Sequence, residues 1–403
     1  MNLLLLTQYY PPEIGAPQAR LSELAAHFVR GGHSVTVLTA MPNYPTGKIY
    51  PGYGGLWQQE QREGVHVIRT FIYPTQKADF LRRLTNYFSF VASSALFGSL
   101  LLKRFDFLLV ESPPLFLGLS GFWLSRLKRA RLIFNVSDLW PQSAVELGVL
   151  RPDSTAFHIS AALEAFYYHH AWLVTGQSKS ILANITARFP HCPTFHLSNG
   201  VDTQRFCPNS PTQEMRETLG LNGNFVALYA GLHGLAQGLD QVLGAAEGLR
   251  TEKQLQFVLV GDGPEKPMLL ERARQRALSN VRFCEPRPAR DMPALLASAD
   301  VVLVTLKKHI SGAVPSKLYE AMASGKPVVL VASGEAAEIV RTQQAGIVVE
   351  PGDERGLSQA VQALRTQPTL CQTLGKNGRR AAEQYFDRTK IASRFIEHLE
   401  AAV

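Results

Sequence analysis

Lys317 and Glu320 stand one turn apart in Pro315-Ser316-Lys317-Leu318-Tyr319-Glu320-Ala321-Met322-Ala323-Ser324-Gly325-Lys326-Pro327-Val328-Val329. Pro315 and Ser316 favour a helix start, while Gly325 and Pro327 stop it before an apolar strand. At the first turn the backbone N–H groups carry partial positive charge and Lys317 adds a full one, which suits a phosphate. Glu320, in the next turn, can accept two hydrogen bonds from a vicinal diol. Diphosphate beside Lys317 and ribose beside Glu320 describe a sugar nucleotide. The same start and stop residues also bound ordinary helices of large α/β proteins, so the other strand-end loops must decide.

Several such loops carry polar residues that could do chemistry. Tyr9-Tyr10-Pro11-Pro12-Glu13-Ile14-Gly15-Ala16-Pro17 precedes a helix expected over 20–30, and Gly15 permits close backbone approach to a phosphate. It is not G-x-G-x-x-G, so it does not indicate a bound dinucleotide; a Pro-rich turn is the plain alternative. Gly231-Leu232-His233-Gly234-Leu235-Ala236-Gln237-Gly238 follows another apolar run, with a helix expected to begin near Gly238. Asn135-Val136-Ser137-Asp138-Leu139-Trp140-Pro141 ends a strand at its carboxyl edge, where Asp138 is either a working carboxylate or a cap for the next helix. No Asp-x-Asp occurs, and His169, His170 and His309 are isolated from other ligand types, so no metal is expected.

Length and composition bound the rest. A chain of 403 residues exceeds what one hydrophobic core usually supports, so two domains are expected. With 46% hydrophobic and 18% charged residues each can bury a sizeable core, which argues against long disorder. A net charge of +8 and a pI near 9.3 favour an acidic partner: nucleic acid, anionic lipid or a phosphorylated small molecule. Cys192, Cys207, Cys284 and Cys371 show neither C-x-x-C nor Cys/His spacing, and a reducing cytoplasm fits them. The apolar start, 1–6, is short and lacks a basic n-region; it suits a first core strand better than a signal peptide.

Residues 84–102 carry no charge and are bracketed by Arg82, Arg83, Lys103 and Arg104. A run of about twenty residues is long enough to cross a bilayer. Thr85, Asn86, Gly98 and the serines within it, with a strand pattern following at 107–110, point instead to a helix of the first domain, largely buried or lying on a membrane surface. Arg126, Lys128, Arg129 and Arg131 add to the basic flanks. They form either an ordinary solvated surface or a patch for anionic headgroups and a polyprenyl-diphosphate acceptor. No recognised binding module surrounds them, so nucleic acid is not expected.

Apolar strands alternate with helices throughout: 3–6, 35–39, 65–69, 107–110, 132–136 and 173–175, then 225–229, 257–260, 281–283, 301–304, 328–331 and 347–349. This is an α/β pattern of two successive parallel sheets, with ligands outside the carboxyl ends of the strands. A helix over 178–189 and a Pro-rich connector over 190–211 separate the halves, and an amphipathic helix over 385–403 closes the chain.

Taken in order, these segments resemble the retaining glycosyltransferases of family four. The resemblance runs from Tyr9 to Tyr385 and includes Tyr9-x-Pro11-Pro12-Glu13 with Gly15, Gly31-Gly32-His33-Ser34-Val35, the 231–238 loop, Gly261-Asp262-Gly263-Pro264 and the 315–329 segment. It implies the GT-B fold, two Rossmann-like domains facing across a cleft, with the C-terminal helix crossing back. An acceptor domain over 1–200, completed by 385–403, and a nucleotide-sugar domain over 201–384 follow from it. It implies that Glu320 holds the ribose, that Gly15, Gly231, Gln237, Gly238, Ser316, Lys317 and Leu318 line the donor, and that Arg287 stands in the loop framing the nucleobase. Val314-Pro315-Ser316-Lys317 before Leu-Tyr-Glu is closest to a bacterial surface-polysaccharide branch that includes fucosyl and N-acetylfucosaminyl transferases.

The chain also departs from the family pattern. Gly312 replaces the first Glu of E-x7-E, Ala16 the second glycine of a pair, and Ser137 the His before Asp138. Leu232 and Gln237 stand where an Arg and a Lys usually bind the diphosphate, so Lys317, the helix near Gly238, Arg20 or Lys307 must supply that charge.

The resulting expectation is a metal-independent, cofactor-free retaining hexosyltransferase, with Asp138 and Lys317 as catalytic candidates. It would transfer from a UDP- or GDP-linked sugar to a lipid-linked saccharide, at the inner face of the plasma membrane. A sugar-nucleotide 2-epimerase of the same architecture and a non-catalytic sugar-nucleotide-binding subunit are the alternatives. Glu320→Gln is expected to weaken nucleoside-diphosphate-sugar binding with little change in melting temperature. Unchanged affinity by calorimetry would refute the ribose assignment.

Overall fold

The strands Asn2–Leu6 and Phe107–Ser112 are largely apolar and need cover on both faces, which a helix-flanked parallel sheet provides. The computed structural model describes residues 1–44, 46–75, 80–209, 213–221 and 224–403; Pro211, within the expected 190–211 connector, lies outside them. One sheet holds β1 (Asn2–Leu6), β2 (Ser34–Ala40), β3 (Trp57–Arg62), β4 (Val65–Thr70), β5 (Phe107–Ser112), β6 (Arg131–Val136), β7 (Leu173–Gly176) and β8 (Thr194–His196), in the order β3-β4-β2-β1-β5-β6-β7-β8. The other holds β9 (Phe225–Ala230), β10 (Leu255–Val260), β11 (Val281–Cys284), β12 (Val301–Thr305), β13 (Val328–Val331) and β14 (Gly346–Val349), in the order β11-β10-β9-β12-β13-β14. Each is a Rossmann-like sheet whose order reverses beside its first strand. Leu3 pairs with both Val35 and Phe107, and Leu228 with both Val258 and Val302. Successive loops diverge at those points and leave room for a ligand at the carboxyl ends.

The helices are α1 (Ala16–Arg30), α2 (Phe80–Leu101), α3 (Leu117–Lys128), α4 (Gln142–Glu146), α5 (Thr155–His170), α6 (Lys179–Arg188), α7 (Gln213–Thr218), α8 (Asp240–Gly248), α9 (Lys266–Gln275), α10 (Met292–Ala297), α11 (Ser316–Ala323), α12 (Glu335–Gln343), α13 (Glu354–Thr366), α14 (Pro368–Ala381) and α15 (Arg388–Glu400). Two compact units result, Met1–Asn199 with Arg388–Val403, and Gly200–Asp387. In the first, α15 packs on α1 through Phe28 and Phe395, whose ring centroids are 6.1 Å apart, and Arg388 Nη1 donates to Glu23 Oε2 at 2.5 Å. In the second, Val201 bridges to Asp387, and Arg379 Nη1 donates to Thr203 O, Phe206 O and Ala323 O at 2.9, 2.7 and 2.8 Å. That guanidinium closes the carboxyl end of α11.

Some expectations need correction. β3 is absent from the expected strands; it is an antiparallel edge strand joined to β4 by Glu63 and Gly64, both at positive φ. Its sequence is polar because one face meets water, and only the Glu-Gly turn signals the hairpin. α1 starts at Ala16 rather than Arg20, with Gly15 as its N-cap and Pro17 inside its first turn. α2 is not largely buried: Phe90, Ser93 and Ser94 face inward, while Phe88, Leu96 and Leu100 are exposed. By length and composition alone α2 could cross a membrane.

α3 lies unusually close to its neighbours. A Cβ on Gly121 would fall 2.1 Å from Val110 Cγ2, and one on Gly118 2.5 Å from the Tyr167 ring. Gly121→Ala must displace a buried strand side chain, and a loss of about 1–3 kcal/mol is expected. It should appear as a lower urea midpoint at unchanged slope; an unaltered midpoint would show that the helix shifts freely.

Candidate active site

In the second unit the chain leaves β9 through Gly231, whose φ of 143° favours glycine. The loop that follows is locked to the turn after β10. Gly231 N–H donates to Val260 O at 2.9 Å, His233 N–H to Asp262 O at 2.8 Å, and Glu265 N–H to His233 O at 2.9 Å. A Cβ on Gly261 would lie 1.9 Å from Gly231 O, and one on Gly263 2.4 Å from His233 O. The Gly261-Asp262-Gly263-Pro264 turn is therefore a socket for the neighbouring loop. At its far end a 3-10 turn, Leu235–Gln237, precedes Gly238 in the left-handed region at φ 57°. Lys307 N–H donates to Ala236 O and Thr305 Oγ1 to Gln237 O, both at 2.8 Å, fixing this end to β12. The helix expected near Gly238 begins at Asp240, because Gly238 is left-handed.

Lys317 reaches from the first turn of α11 to the start of that loop. A Cβ on Gly231 would lie 2.1 Å from its Cε and 2.7 Å from its Nζ, and Nζ sits 5.3 Å from the centroid of the Tyr229 ring. Glycine at 231 is thus what makes room for the lysine. Burial lowers the Lys317 pKa, and the Glu320 carboxylate pulls it back up. His233 is fully buried with both ring nitrogens unpartnered; burial and the nearby Lys266 and Lys317 charges bring it down to about 4, so it is neutral at pH 7. Ser316 and Glu320 are half-buried on α11, and Leu318 anchors the helix in the core. Gln237 and Leu232 both fold toward Gly234, where a Cβ would meet Gln237 Oε1 at 2.8 Å and Leu232 Cδ2 at 3.2 Å. Lys307 is exposed beside Gly238. Arg287 lies half-buried in the loop after β11, whose Cys284 O accepts from Gly261 N–H at 3.1 Å.

In the first unit a polar cluster joins the carboxyl ends of three central strands. Glu111, buried at the end of β5, accepts from Arg20 Nη2 at 2.5 Å, Asn135 Nδ2 at 2.6 Å and Ser137 Oγ at 2.6 Å. Arg20 Nη1 also donates to Asn199 Oδ1 at 2.9 Å, Thr175 Oγ1 to Asn135 Oδ1 at 2.6 Å, and Gln177 Nε2 to Ser137 O. Arg20 is therefore committed to Glu111 and Asn199. Asp138 is half-buried beside this cluster, and burial plus Glu111 push its pKa up to about 6 against the opposing pull of Arg20. It does not cap the next helix: the N-cap of α4 is Pro141, with no side-chain bond. Gly15 caps α1 with an extended backbone, and a Cβ there would collide with Gln18 Oε1. Glu13 is buried and accepts N–H bonds from Tyr10 at 3.2 Å and from Asn43 and Tyr44 at 2.8 Å, tying the loops after β1 and β2 together.

The structure thus gathers Gly231, Gln237, Gly238, Ser316, Lys317 and Glu320 in one unit, and Gly15 and Asp138 in the other. Sequence reasoning gave no role to Tyr229 or His233, and did not foresee that Arg20, Asn135 and Ser137 would converge on Glu111. Tyr229 and His233 flank the first glycine of the loop, and that position was their only signal. Among the described residues no three or more His, Cys, Asp or Glu side chains converge as metal ligands.

Residues 15–194 match a glycosyl transferase 4-like domain, and residues 211–381 the glycosyl transferases group 1 family. WcaI of Escherichia coli K12, named as a colanic acid biosynthesis glycosyl transferase, is 27% identical, the match covering 99% of this chain and 100% of WcaI. Sucrose-phosphate synthase from Thermosynechococcus elongatus superposes with a TM-score of 0.76 at 20% identity, over 100% of both chains. Anabaena HepE, solved in complex with UDP-glucose, gives 0.75 at 20% identity, again over 100% of both.

Asp138 generates a pH test. An unfolded Asp titrates near 4, so a folded pKa of about 6 means that protonation favours the fold. That contribution is complete below about pH 4 and is lost as the pH rises through about 6, leaving a costly carboxylate at pH 7. Asp138→Asn is expected to exceed the parent in stability at pH 7 by on the order of 1–2 kcal/mol, discounted for partial exposure. The difference should close below about pH 4 in urea titrations; a pH-independent difference would overturn the assignment.

Proposed function

Since this chain is a glycosyltransferase of the GT-B fold, a glycosyl transferase 4-like domain followed by a group 1 domain, we propose that it transfers a hexose derivative from a nucleoside diphosphate to a lipid-linked saccharide, with retention and without a metal. Assembly of a bacterial surface polysaccharide is the process, and the full-length similarity to WcaI supports it. The UDP-glucose bound by HepE supports a nucleoside-diphosphate donor. The protein works in the cytoplasm at the inner face of the plasma membrane, where a polyprenyl-diphosphate acceptor is presented.

The observation that carries this reading is the Lys317 ammonium lodged against Gly231 at the start of α11. When the bond from the sugar C1 to the β-phosphate oxygen breaks, its electron pair stays on that oxygen. The added charge meets Lys317 and the positive end of the helix. The acceptor hydroxyl oxygen bonds to C1 from the same face, and its proton passes to the departing phosphate oxygen, so no dedicated protein base is required. Leu232 and Gln237 leave the loop without the cations common in relatives, which places the burden on Lys317, with exposed Lys307 in reach of the same loop. Arg20 drops out, because Glu111 holds it. Glu320 takes the ribose hydroxyls, Gly231 and Gly238 let the backbone approach the phosphates, and Arg287 stands beside the base. Asp138, ionised above about pH 6, orients a hydroxyl of the acceptor or donor sugar.

The test incubates the purified chain with UDP- and GDP-linked sugars, with and without a polyprenyl-diphosphate saccharide. Release of nucleoside diphosphate only with the acceptor is expected, and Lys317→Ala should lower kcat by roughly 10²–10³-fold. An epimerised donor formed without acceptor, or no product at all, would overturn the reading. Normal turnover by Lys317→Ala would remove the lysine from its role.

A further inference from the structure

In the first unit the outward faces of α2 and α3 carry large apolar side chains where a water-facing helix normally carries charge. Opposite the inward Phe90, Ser93 and Ser94, α2 exposes Phe88, Leu96 and Leu100, the last two at 57% and 71%. On α3, Leu119, Trp123 and Leu127 recur every fourth residue and are exposed, Trp123 at 56%. The helices lie side by side and run in the same direction. The Phe88 and Phe116 rings are 4.9 Å apart, Ser94 Oγ donates to Ser120 Oγ at 2.8 Å, Trp123 Nε1 donates to Ser99 Oγ at 3.0 Å, and Lys128 Nζ donates to Leu102 O at 2.7 Å. The Trp123–Ser99 bond sets the α3 row beside Leu96 and Leu100, so the two rows form one strip.

Basic residues frame the strip. Arg82 and Arg83 stand at one end of α2, Lys103 and Arg104 follow its other end, and Arg126 and Arg129 close α3; all six are exposed. From 80 to 131 the acidic residues are Asp106 and Glu111. Glu111 is buried against Arg20, and Asp106 Oδ2 accepts from Asn2 N–H at 2.7 Å. Beyond the end of α3 a groove of about 390 Å³ is lined by Arg126, Arg129, Arg131, His170 and Trp172. Guanidinium groups in such a groove match the geometry of a phosphate.

We infer that this strip is a docking face for an anionic phospholipid bilayer. The leucines and Phe88 enter the acyl boundary, Trp123 lies at the interface, and the arginines meet headgroup phosphates. A second copy of the chain is a poor occupant, because a two-fold contact would set these arginines against one another. The assignment deepens the reading of a lipid-linked acceptor and rests on it for its purpose, but its geometry is independent of the nucleotide site.

The full-length protein is sedimented with vesicles of phosphatidylglycerol and phosphatidylcholine, and with phosphatidylcholine alone. Co-sedimentation is expected with the anionic vesicles and should weaken with salt. Leu96→Glu combined with Leu100→Glu should reduce binding by about tenfold or more, and Arg126→Gln with Arg129→Gln should abolish the preference for anionic vesicles. Both variants should keep the parent's thermal shift with UDP or GDP, which reports an intact fold. Parent protein left in the supernatant, undiminished binding by the leucine variant, or a dimer that this variant converts to monomer would each overturn the assignment. Vesicle binding without any nucleoside-diphosphate shift would support this face and count against the donor assignment instead.

Discussion

The close approach of three backbones around Gly231 is the constraint from which the second unit is organised. Gly231, Gly261 and Gly263 interlock at distances that leave no space for a Cβ. The same missing side chain admits Lys317 from α11. One packing requirement therefore fixes the loop after β9, the turn after β10 and the position of the only lysine in the first turn of α11. Tyr229 offers its ring face to that ammonium, and Glu320 helps it keep its proton against the cost of burial. A neutral His233 beneath the loop adds no competing charge.

The first unit solves a different problem. Its strand ends carry a buried ion pair, and Arg20 with Glu111 is tolerable there because Asn135, Ser137 and Asn199 satisfy the remaining oxygens and N–H groups. The member under cost is Asp138, where burial and Glu111 outweigh the opposing pull of Arg20. A carboxylate kept where its ionised form is costly is one of the environments in which functional groups are found. Glu13 is also buried, and burial raises its pKa too, but three backbone N–H donors offset part of that cost and make it a staple between loops.

Much of this was legible in the residues. The apolar runs forecast the parallel strands because two buried faces demand continuous hydrophobicity, and the Pro-Ser start and Gly stop bounded α11 closely. The polar β3 escaped notice because an edge strand with one wet face has no such pattern. Asp138 does not cap α4, whose N-cap position is Pro141 with no side-chain bond, and Arg20, weighed as a phosphate ligand, is occupied by Glu111, a partner far away in sequence. The uncharged 84–102 run predicted a helix but not which face it would bury. That was settled by Ser94 and Trp123 finding partners across the helix pair.

By itself the sequence determined the strand and helix order, the glycine positions, the missing cations at Leu232 and Gln237, and the single Lys–Glu pair of α11. These are properties of residue type and spacing. Only the tertiary structure decided that Lys317 lies against Gly231, that His233 is buried and neutral, that Arg20 is spent on Glu111, and that an apolar strip between basic flanks faces outward. Each depends on packing between segments distant in the chain, where burial and neighbouring charge set what a side chain can do.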